Sequence, residues 1–234
     1  MNSNPLHREA VPEAPNRLGI DGIEFIEYAT SKPQALGQVL EMMGFRPIAR
    51  HRSREVMLYR QGEVNIIVNA HHNVHSQTAA PDEQPVIAAM ALRVRDAGVA
   101  YQRALDLGAW AVPTRVEVME LNIPAIHGVG SSRIYFVDRT EAFSIWDVDF
   151  VPIPTVDRHP GATAGLHWFG IVQYIGTNRM DDWSEFYRER FGLRGECGRQ
   201  LGVGRNLAAQ HAFGRVEGAG SDAGNPTRFW AHDR

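Results

Sequence analysis

The sequence has one cysteine, no long apolar run and no marked excess of charge of either sign. A single cysteine, Cys197, cannot form an intrachain disulfide, so a disulfide framework is excluded and a cytoplasmic location is expected. The longest apolar run, Val86 to Leu92, is far shorter than the roughly 20 residues that a membrane-spanning helix needs. The formal net charge of −3 provides no basic footprint for nucleic acid. We therefore expect a globular protein whose partners include neither nucleic acid nor membrane.

What the 234 residues do contain is a unit that repeats. The first copy begins with the strand "GIEFIEYA", and after "TSKP" apolar residues recur at helical spacing (Leu36, Val39, Leu40 and Met43). Gly44 ends this helix, since glycine adopts the left-handed conformation at low cost. Two strands, "EVMLYRQ" and "EVNIIVNA", follow across a tight turn at Gly62.

The same order of elements returns twice. In the second copy a strand over Val86–Val94 leads into a helix with Asp96 as its predicted N-cap, and Gly108 ends that helix. Two further strands are predicted at "SSRIYFVDR" and "AFSIWDVDFVPI", where Asp147 and Asp149 would form an outward polar face. The third copy is "FGIVQYIGTNRMDDWSEFYRERFGLR", a strand and an amphipathic helix with no clear continuation.

One such unit leaves a sheet face bare, so units are expected to pair. We predict an α+β fold of paired βαβββ units: a flexible N-terminal tail (1–19), a closed two-unit domain (21–153), a linker (154–166), the start of a second domain (167–194) and an irregular tail (195–234). The tail is rich in glycine and poor in large apolar residues, so it is expected to bury too little surface to offset its ordering entropy. The second domain is therefore expected to be incomplete.

Five stretches carry a resemblance to a known family: "GIEFIEYA", "HRSREVMLYRQGEVNIIVN", "MALRVRDAGVAYQRALDLGA", "ELNIPAIHGVGSSRIYFVDR" and "DVDFVPI". In order and spacing they resemble the N-terminal half of bacterial 4-hydroxyphenylpyruvate dioxygenases, members of the vicinal oxygen chelate (glyoxalase-like) superfamily. The resemblance runs from about residue 20 to 153, and continues more weakly to Leu193.

The resemblance implies an Fe(II)-dependent oxidoreductase of tyrosine catabolism that acts on a small aromatic 2-oxo acid and dioxygen. Two histidines and a carboxylate would hold the iron, and the keto acid would be decarboxylated and hydroxylated to homogentisate. In the family all three ligands belong to the C-terminal domain, and the N-terminal domain mainly provides packing support. Oligomerisation is left open.

The metal ligand that this chain offers from the family's set is His167, in "GLHWFGIVQY". An alignment anchored on the helix places Gly170 or Gln173 nearer to the family's histidine. The alternative interpretation of His167 is a polar residue at the start of a strand. Since His211 and His232 lie in glycine-rich sequence, the chain is expected to bind Fe(II) weakly and to show no turnover.

Other polar clusters have simpler interpretations. His71, His72 and His75 follow a strand and run into "SQTAAPDE", which favours a solvated loop over a zinc or nickel site. Glu24 and Glu27 are predicted to lie on opposite faces of the first strand and so not to act as a pair. Glu27 would then either hydrogen-bond structurally or mark a vestigial site inside the first barrel.

Two classes of function remain. The first is a dioxygenase of the family named above, with an incomplete iron site in this chain. The second is a non-catalytic module of the same fold that binds a small molecule or pairs with another chain. A related 2-oxo-acid oxygenase such as hydroxymandelate synthase is a third alternative. The number of iron ligands in the right places distinguishes an enzyme from a binding module.

Overall fold

The computed structural model describes residues 16–70, 84–113, 121–139, 144–168, 170–175, 179–187, 191, 194–199 and 210–215. Its helices are α1 (Pro33–Met42), α2 (Ala97–Asp106), α3 (Ile145–Val148) and α4 (Met180–Glu185). Its strands are β1 (Ile20–Ala29), β2 (Arg46–His51), β3 (Val56–Gln61), β4 (Val64–Asn69), β5 (Val86–Val94), β6 (Ala125–His127), β7 (Arg133–Val137), β8 (Phe150–Pro152), β9 (Ile171–Ile175), β10 (Arg194–Arg199) and β11 (Gln210–Arg215). Within these ranges, none of the helices has the length and apolar character needed to cross a bilayer.

The two predicted units share one eight-stranded mixed sheet, in the order β6-β7-β5-β1-β4-β3-β2-β8. In each unit the first strand runs parallel to the last strand of the same unit, since β1 pairs with β4 and β5 pairs with β7. The units join through the antiparallel pair of β1 and β5. Strand β8, which follows the second unit, pairs with β2 of the first unit. The two units are therefore joined both at the centre of the sheet and at its edge.

Each face of the sheet covers its own hydrophobic cluster. On one face α1 and α2 pack against apolar residues of the central strands, and the helices bury their own Leu40, Ala100 and Ala104 there. On the other face the sheet encloses a second cluster, which includes Phe25, Leu58, Val137, Trp146 and Phe150. The second cluster draws residues from both ends of the sheet, so the sheet curls around it.

The two long helices begin and end where the sequence predicts. Asp96 accepts a hydrogen bond from the backbone N–H of Val99 at 2.8 Å, so it is the N-cap of α2. Gly44 and Gly108 follow α1 and α2 with φ of +94° and +85°, a region that residues with a Cβ rarely adopt. These three predictions are confirmed.

The prediction of one strand over 142–153 is wrong. Ser144 and Asp147 form a capping box, in which the Asp147 carboxylate accepts from the Ser144 backbone N–H at 3.3 Å, and this box starts the short helix α3. Because the segment turns helical, Asp147 and Asp149 do not share an outward face: Asp149 is buried, and its Oδ1 accepts from the backbone N–H of Leu121 at 3.0 Å. Strand β6 was not predicted at all, since only three residues of it pair.

Residues beyond the first two units lie against them. The turn between β3 and β4 holds the predicted linker, since the Gly62 N–H donates to the Pro160 carbonyl at 2.8 Å. Phe191 is 1% exposed within the helix-side cluster, and its ring lies 6.4 Å from that of Phe136. The predicted domain boundaries remain a prediction, but the third unit contributes to the core of the first two.

The prediction of an irregular tail differs from the structure over two segments. Strands β10 and β11 lie within residues 194–215 and pair antiparallel, and β11 also pairs antiparallel with β9. Pairing of this kind uses backbone N–H and C=O groups, which every non-proline residue carries. Glycine-rich composition therefore did not prevent strand formation beside β9.

Candidate functional site

The curled sheet lines a half-open cavity of about 180 Å³ on the side opposite α1 and α2. Its wall is shared by β1, β2, β3, β4, β6, β7 and β8, and the segment 121–123 closes one side. The apolar part of the wall is formed by Phe25, Val56, Ile67, Ile123, Ile145 and Phe150. The polar part combines carboxyl, guanidinium, phenol, imidazole and amide groups. Such a mixture of apolar walls and a few convergent polar groups is typical of small-molecule sites.

Glu27 contributes a carboxyl group to the wall of this cavity. It accepts a hydrogen bond from Asn69 Nδ2 at 2.7 Å. The Glu27 side chain is half-buried, and it lines the cavity. Burial raises the pKa of Glu27, against the hydrogen bond from Asn69 and the charges of Arg133 and Arg54, which lower it. The protonated acid is thus favoured relative to an exposed glutamate.

Two arginines and a tyrosine lie beside Glu27. Arg54 and Arg133 are exposed residues that both line the cavity, which places their guanidinium groups at its solvent-facing side. Arg133 Nη1 donates to the Tyr135 hydroxyl at 3.5 Å. Burial raises the pKa of Tyr135, and the nearby Glu27 carboxyl adds to that effect. The phenol therefore stays protonated and can donate or accept a hydrogen bond.

Sequence reasoning did not select Arg54, Arg133 or Tyr135 as site residues. One sequence feature points to two of them: Arg133 and Tyr135 alternate in β7 with Ile134 and Phe136, which lie in the helix-side cluster. The apolar face of this strand packs under the helices. The opposite face, which carries Arg133 and Tyr135, is therefore the one that can line a polar cavity.

The carboxylate of Glu24 belongs to a separate network. Glu24 is 1% exposed and accepts hydrogen bonds from Arg93 Nε at 2.6 Å, from Arg139 at 3.2 Å and from Trp146 Nε1 at 2.9 Å. Both of its oxygens are engaged by protein, so this group is structural.

The predicted placement of Glu24 and Glu27 on opposite faces is wrong. The β1–β5 register shifts between Ile23 and Phe25, which is a bulge at Glu24. As a result Glu24 reaches Trp146, whose ring packs against Phe25, and Glu27 lines the cavity with the same Phe25. Both carboxyl groups thus reach the inner side of the sheet, but they have different partners and form no pair.

His167, the predicted metal ligand, is exposed and precedes β9 rather than lying in it. One of its ring nitrogens, Nδ1, lies 2.9 Å from the Gly165 carbonyl oxygen. In the part of the chain that the structure describes, no three residues among His, Cys, Asp and Glu converge as a metal site requires. The described residues therefore do not fit a two-histidine, one-carboxylate iron centre, and a ligand role for His167 remains a prediction.

The remaining predicted candidates are placed as follows. His71, His72 and His75 lie outside the described residues, as does His232. Cys197 lies in β10 opposite Ala212, and His211 lies in β11 opposite Tyr174. Gln173, the alternative position for the family's histidine, lies in β9 opposite Ala212.

Comparison with known proteins gives concordant matches. A family model described as "Hydroxyphenylpyruvate dioxygenase, HPPD, N-terminal" matches residues 14–151. The chain is 44% identical over 185 residues to a 4-hydroxyphenylpyruvate dioxygenase from Pseudomonas sp. (strain P.J. 874), a match that covers 76% of this chain and 50% of that protein. A solved "xylose isomerase-like TIM barrel/4-hydroxyphenylpyruvate dioxygenase fusion protein" is similar with a TM-score of 0.65 and 29% identity, over 89% of this chain and 33% of that one.

A further relative matches over a longer stretch of this chain. A 3-dehydroshikimate dehydratase from Pseudomonas putida is 28% identical over 249 residues, which covers 94% of this chain and 39% of that protein. The chain thus spans about half the length of the dioxygenase it matches, and less of the dehydratase.

Proposed function

Because the chain belongs to the 4-hydroxyphenylpyruvate dioxygenase family, we propose that its first two units act as the non-catalytic N-terminal half of such a dioxygenase. The observation that carries the proposal is the match of the N-terminal family model to residues 14–151, the region that forms the eight-stranded sheet. The whole protein would oxidise 4-hydroxyphenylpyruvate to homogentisate with dioxygen, in the cytoplasm, as part of tyrosine catabolism. Fe(II) would supply the activation of dioxygen in that protein.

The contacts of the described residues support a scaffolding role for this half. The buried carboxyl of Glu24 is fully engaged by Arg93, Arg139 and Trp146, so it is not available as a metal ligand. The helix-side cluster accepts Phe191 and the partly buried Phe186 from the third unit. An N-terminal half of this kind would hold the start of the following unit in place by burying its aromatic residues.

A chimera tests this proposal. The residues of the Pseudomonas sp. dioxygenase that correspond to 16–153 are replaced by those of this chain, and oxygen uptake is measured with 4-hydroxyphenylpyruvate after reconstitution with Fe(II). We expect substrate-dependent oxygen uptake within about tenfold of the parent, since packing rather than chemistry is exchanged. A chimera that folds, binds iron and consumes no oxygen would contradict the proposal.

The 234-residue chain alone provides the complementary measurement. After anaerobic reconstitution with Fe(II) and ascorbate we expect no oxygen uptake with the keto acid, because the described residues do not converge on a metal. Stoichiometric iron together with substrate-dependent oxygen uptake would assign catalysis to residues outside the described ranges.

The longer match to the dehydratase favours a second candidate. The chain would then be the dioxygenase-like part of a protein whose dehydratase activity lies in another part. The corresponding segment of the Pseudomonas putida protein is exchanged for this chain, and the loss of 3-dehydroshikimate is measured. A dehydratase chimera that folds and works, beside a dioxygenase chimera that folds but does not, would favour the second candidate.

A further inference from the structure

We propose that the cavity inside the first two units is a binding site for a small aromatic monocarboxylate, with the ring among Phe25, Phe150 and Ile67 and the carboxylate at Arg133 and Arg54. The residues from which we argue it are all described ones, and it does not depend on whether the whole protein is a dioxygenase.

The size of the cavity selects the size of the ligand. Drug-sized ligands occupy pockets of about 300–1,000 Å³, whereas a cavity of about 150 Å³ accommodates a benzene molecule. The volume here is about 180 Å³. One six-membered ring with a short substituent fits that volume.

The apolar wall selects the shape of the ligand. The rings of Phe25 and Tyr135 lie 6.1 Å apart at 41°, and both line the cavity. Phe150 lines it from β8, with its ring 5.4 Å from that of His51. Aromatic pairs prefer offset or edge-to-face contacts at such separations, so a flat ring can join this group without displacing it.

The charges around the cavity select the ligand's polar group. Arg133 Nη1 donates to the Tyr135 hydroxyl at 3.5 Å, and a guanidinium group carries five N–H donors in all. Arg54 lines the same cavity, and its charge acts on both Glu27 and Tyr135, as the charge of Arg133 does. A planar carboxylate matches the fork of a guanidinium group in two parallel hydrogen bonds.

The two acidic groups of the wall do not oppose an anion equally. Burial raises the pKa of Glu27, against the hydrogen bond from Asn69 and the charges of Arg133 and Arg54, so the charged form of this group is disfavoured relative to an exposed glutamate. Asp149, between α3 and β8, accepts from the backbone N–H of Leu121 at 3.0 Å and also lines the cavity. The arginine side of the cavity is therefore its anion-attracting side.

The experiment titrates the 234-residue chain with 4-hydroxybenzoate at pH 7 in the presence of EDTA, so that metal chelation does not contribute. Isothermal titration calorimetry is expected to show one site with a Kd on the order of 0.1–1 mM, which about ten heavy atoms allow. Backbone amide shifts at Glu27, Asn122 and Tyr135 locate the site. Phenol, which keeps the ring and lacks the carboxylate, is expected to bind about tenfold more weakly or not at all.

Three variants decide the role of the arginines. Arg133→Gln and Arg54→Gln are each expected to weaken 4-hydroxybenzoate binding about tenfold, the usual effect of losing a charge-assisted hydrogen bond. Arg46→Gln is the matched control, since Arg46 is exposed at the start of β2 and does not line the cavity. Three results would overturn the proposal. The first is an absence of saturable binding, which would mean that the cavity holds only water. The others are phenol binding as tightly as the acid, and binding of the acid that neither Arg133→Gln nor Arg54→Gln weakens.

Discussion

The buried carboxyl of Glu24 provides the sharpest test of how this fold is stabilised. Glu24→Gln keeps the shape and one acceptor oxygen, so a hydrogen bond from Trp146 or Arg93 can persist. The substitution removes the negative charge and points an amide N–H₂ group toward a guanidinium group. The bonds at stake are those from Arg93 Nε at 2.6 Å and from Arg139 Nε and Nη2 at 3.2 Å each.

The expected loss of free energy of unfolding follows from how deeply Glu24 and its arginine partners are buried. Breaking a fully buried ion pair costs about 3–5 kcal/mol. Here the side chains of Arg93 and Arg139 are 23% and 44% exposed, so water screens the pairs and can solvate both arginines after the change. We therefore expect Glu24→Gln to lower the free energy of unfolding by about 2–3 kcal/mol, which for a chain of this size lowers Tm by roughly 4–12 °C.

Glu63 is a matched control in the same network. Its carboxylate lies 3.9 Å from Arg93 and 3.5 Å from Arg139, but its side chain is 76% exposed. Glu63→Gln should change the free energy of unfolding by no more than about 0.5 kcal/mol. Urea unfolding followed by tryptophan fluorescence measures both variants, and equal midpoints for the two would refute the argument from burial.

The difference in free energy of unfolding between wild type and Glu24→Gln should change with pH in a defined direction. Burial would raise the pKa of Glu24, but the hydrogen bond from Arg93, the charges of Arg93 and Arg139 and the hydrogen bond from Trp146 hold it below its usual range. The folded state therefore binds fewer protons than the unfolded state. The stabilisation is fully present above the unfolded value of about 4.3 and is lost as pH falls through the folded pKa. The gap between wild type and Glu24→Gln should narrow on acidification.

Two further stability predictions follow from burial elsewhere. Since burial raises the pKa of Glu27, the folded state binds more protons than the unfolded state, and the free energy of unfolding falls as pH rises from about 4.3 through the folded pKa. Glu27→Gln should remove this fall and be the more stable protein at pH 8. Thermal unfolding that depends equally on pH in the two proteins would contradict this prediction. Phe191→Ala should lower the free energy of unfolding by about 3–5 kcal/mol, because it leaves a cavity beside Phe136. Trp110→Ala is the control, since this side chain is 78% exposed, and it should lower the free energy of unfolding by about 0.5 kcal/mol. Equal denaturation midpoints for the two variants would show that the third unit is not packed on the first two.

The family and the fold class are confirmed predictions from sequence. The α+β fold of paired units agrees with the sheet order and with the similarity to the solved fusion protein, and places the chain in the vicinal oxygen chelate fold. These features were predictable because they depend on local rules. Helix α2 buries Ala100 and Ala104 at helical spacing and has an Asp96 cap, and Gly44 and Gly108 adopt the positive φ that ends a helix.

Features that depend on one irregular residue or a short segment were not predictable from periodicity. The bulge at Glu24 shifts side chains of β1 by one position, and a one-residue shift moves a side chain to the other face of a sheet. The capping box of Ser144 and Asp147 converts part of a predicted strand into α3, which places Trp146 over Phe25. Such local alternatives differ by only about 1 kcal/mol and are decided by packing.

By itself, the sequence determined the repeated unit, the pairing of two units and the membership of the family, because each is encoded in spacing and in runs of neighbouring residues. Only the tertiary structure decided what the interior of the pair contains. The residues that meet at the cavity come from segments as far apart as Phe25 and Phe150, and no local pattern links Glu27 to Arg54 and Arg133. They meet because the sheet curls until β8 pairs with β2, and curvature is a property of all eight strands together.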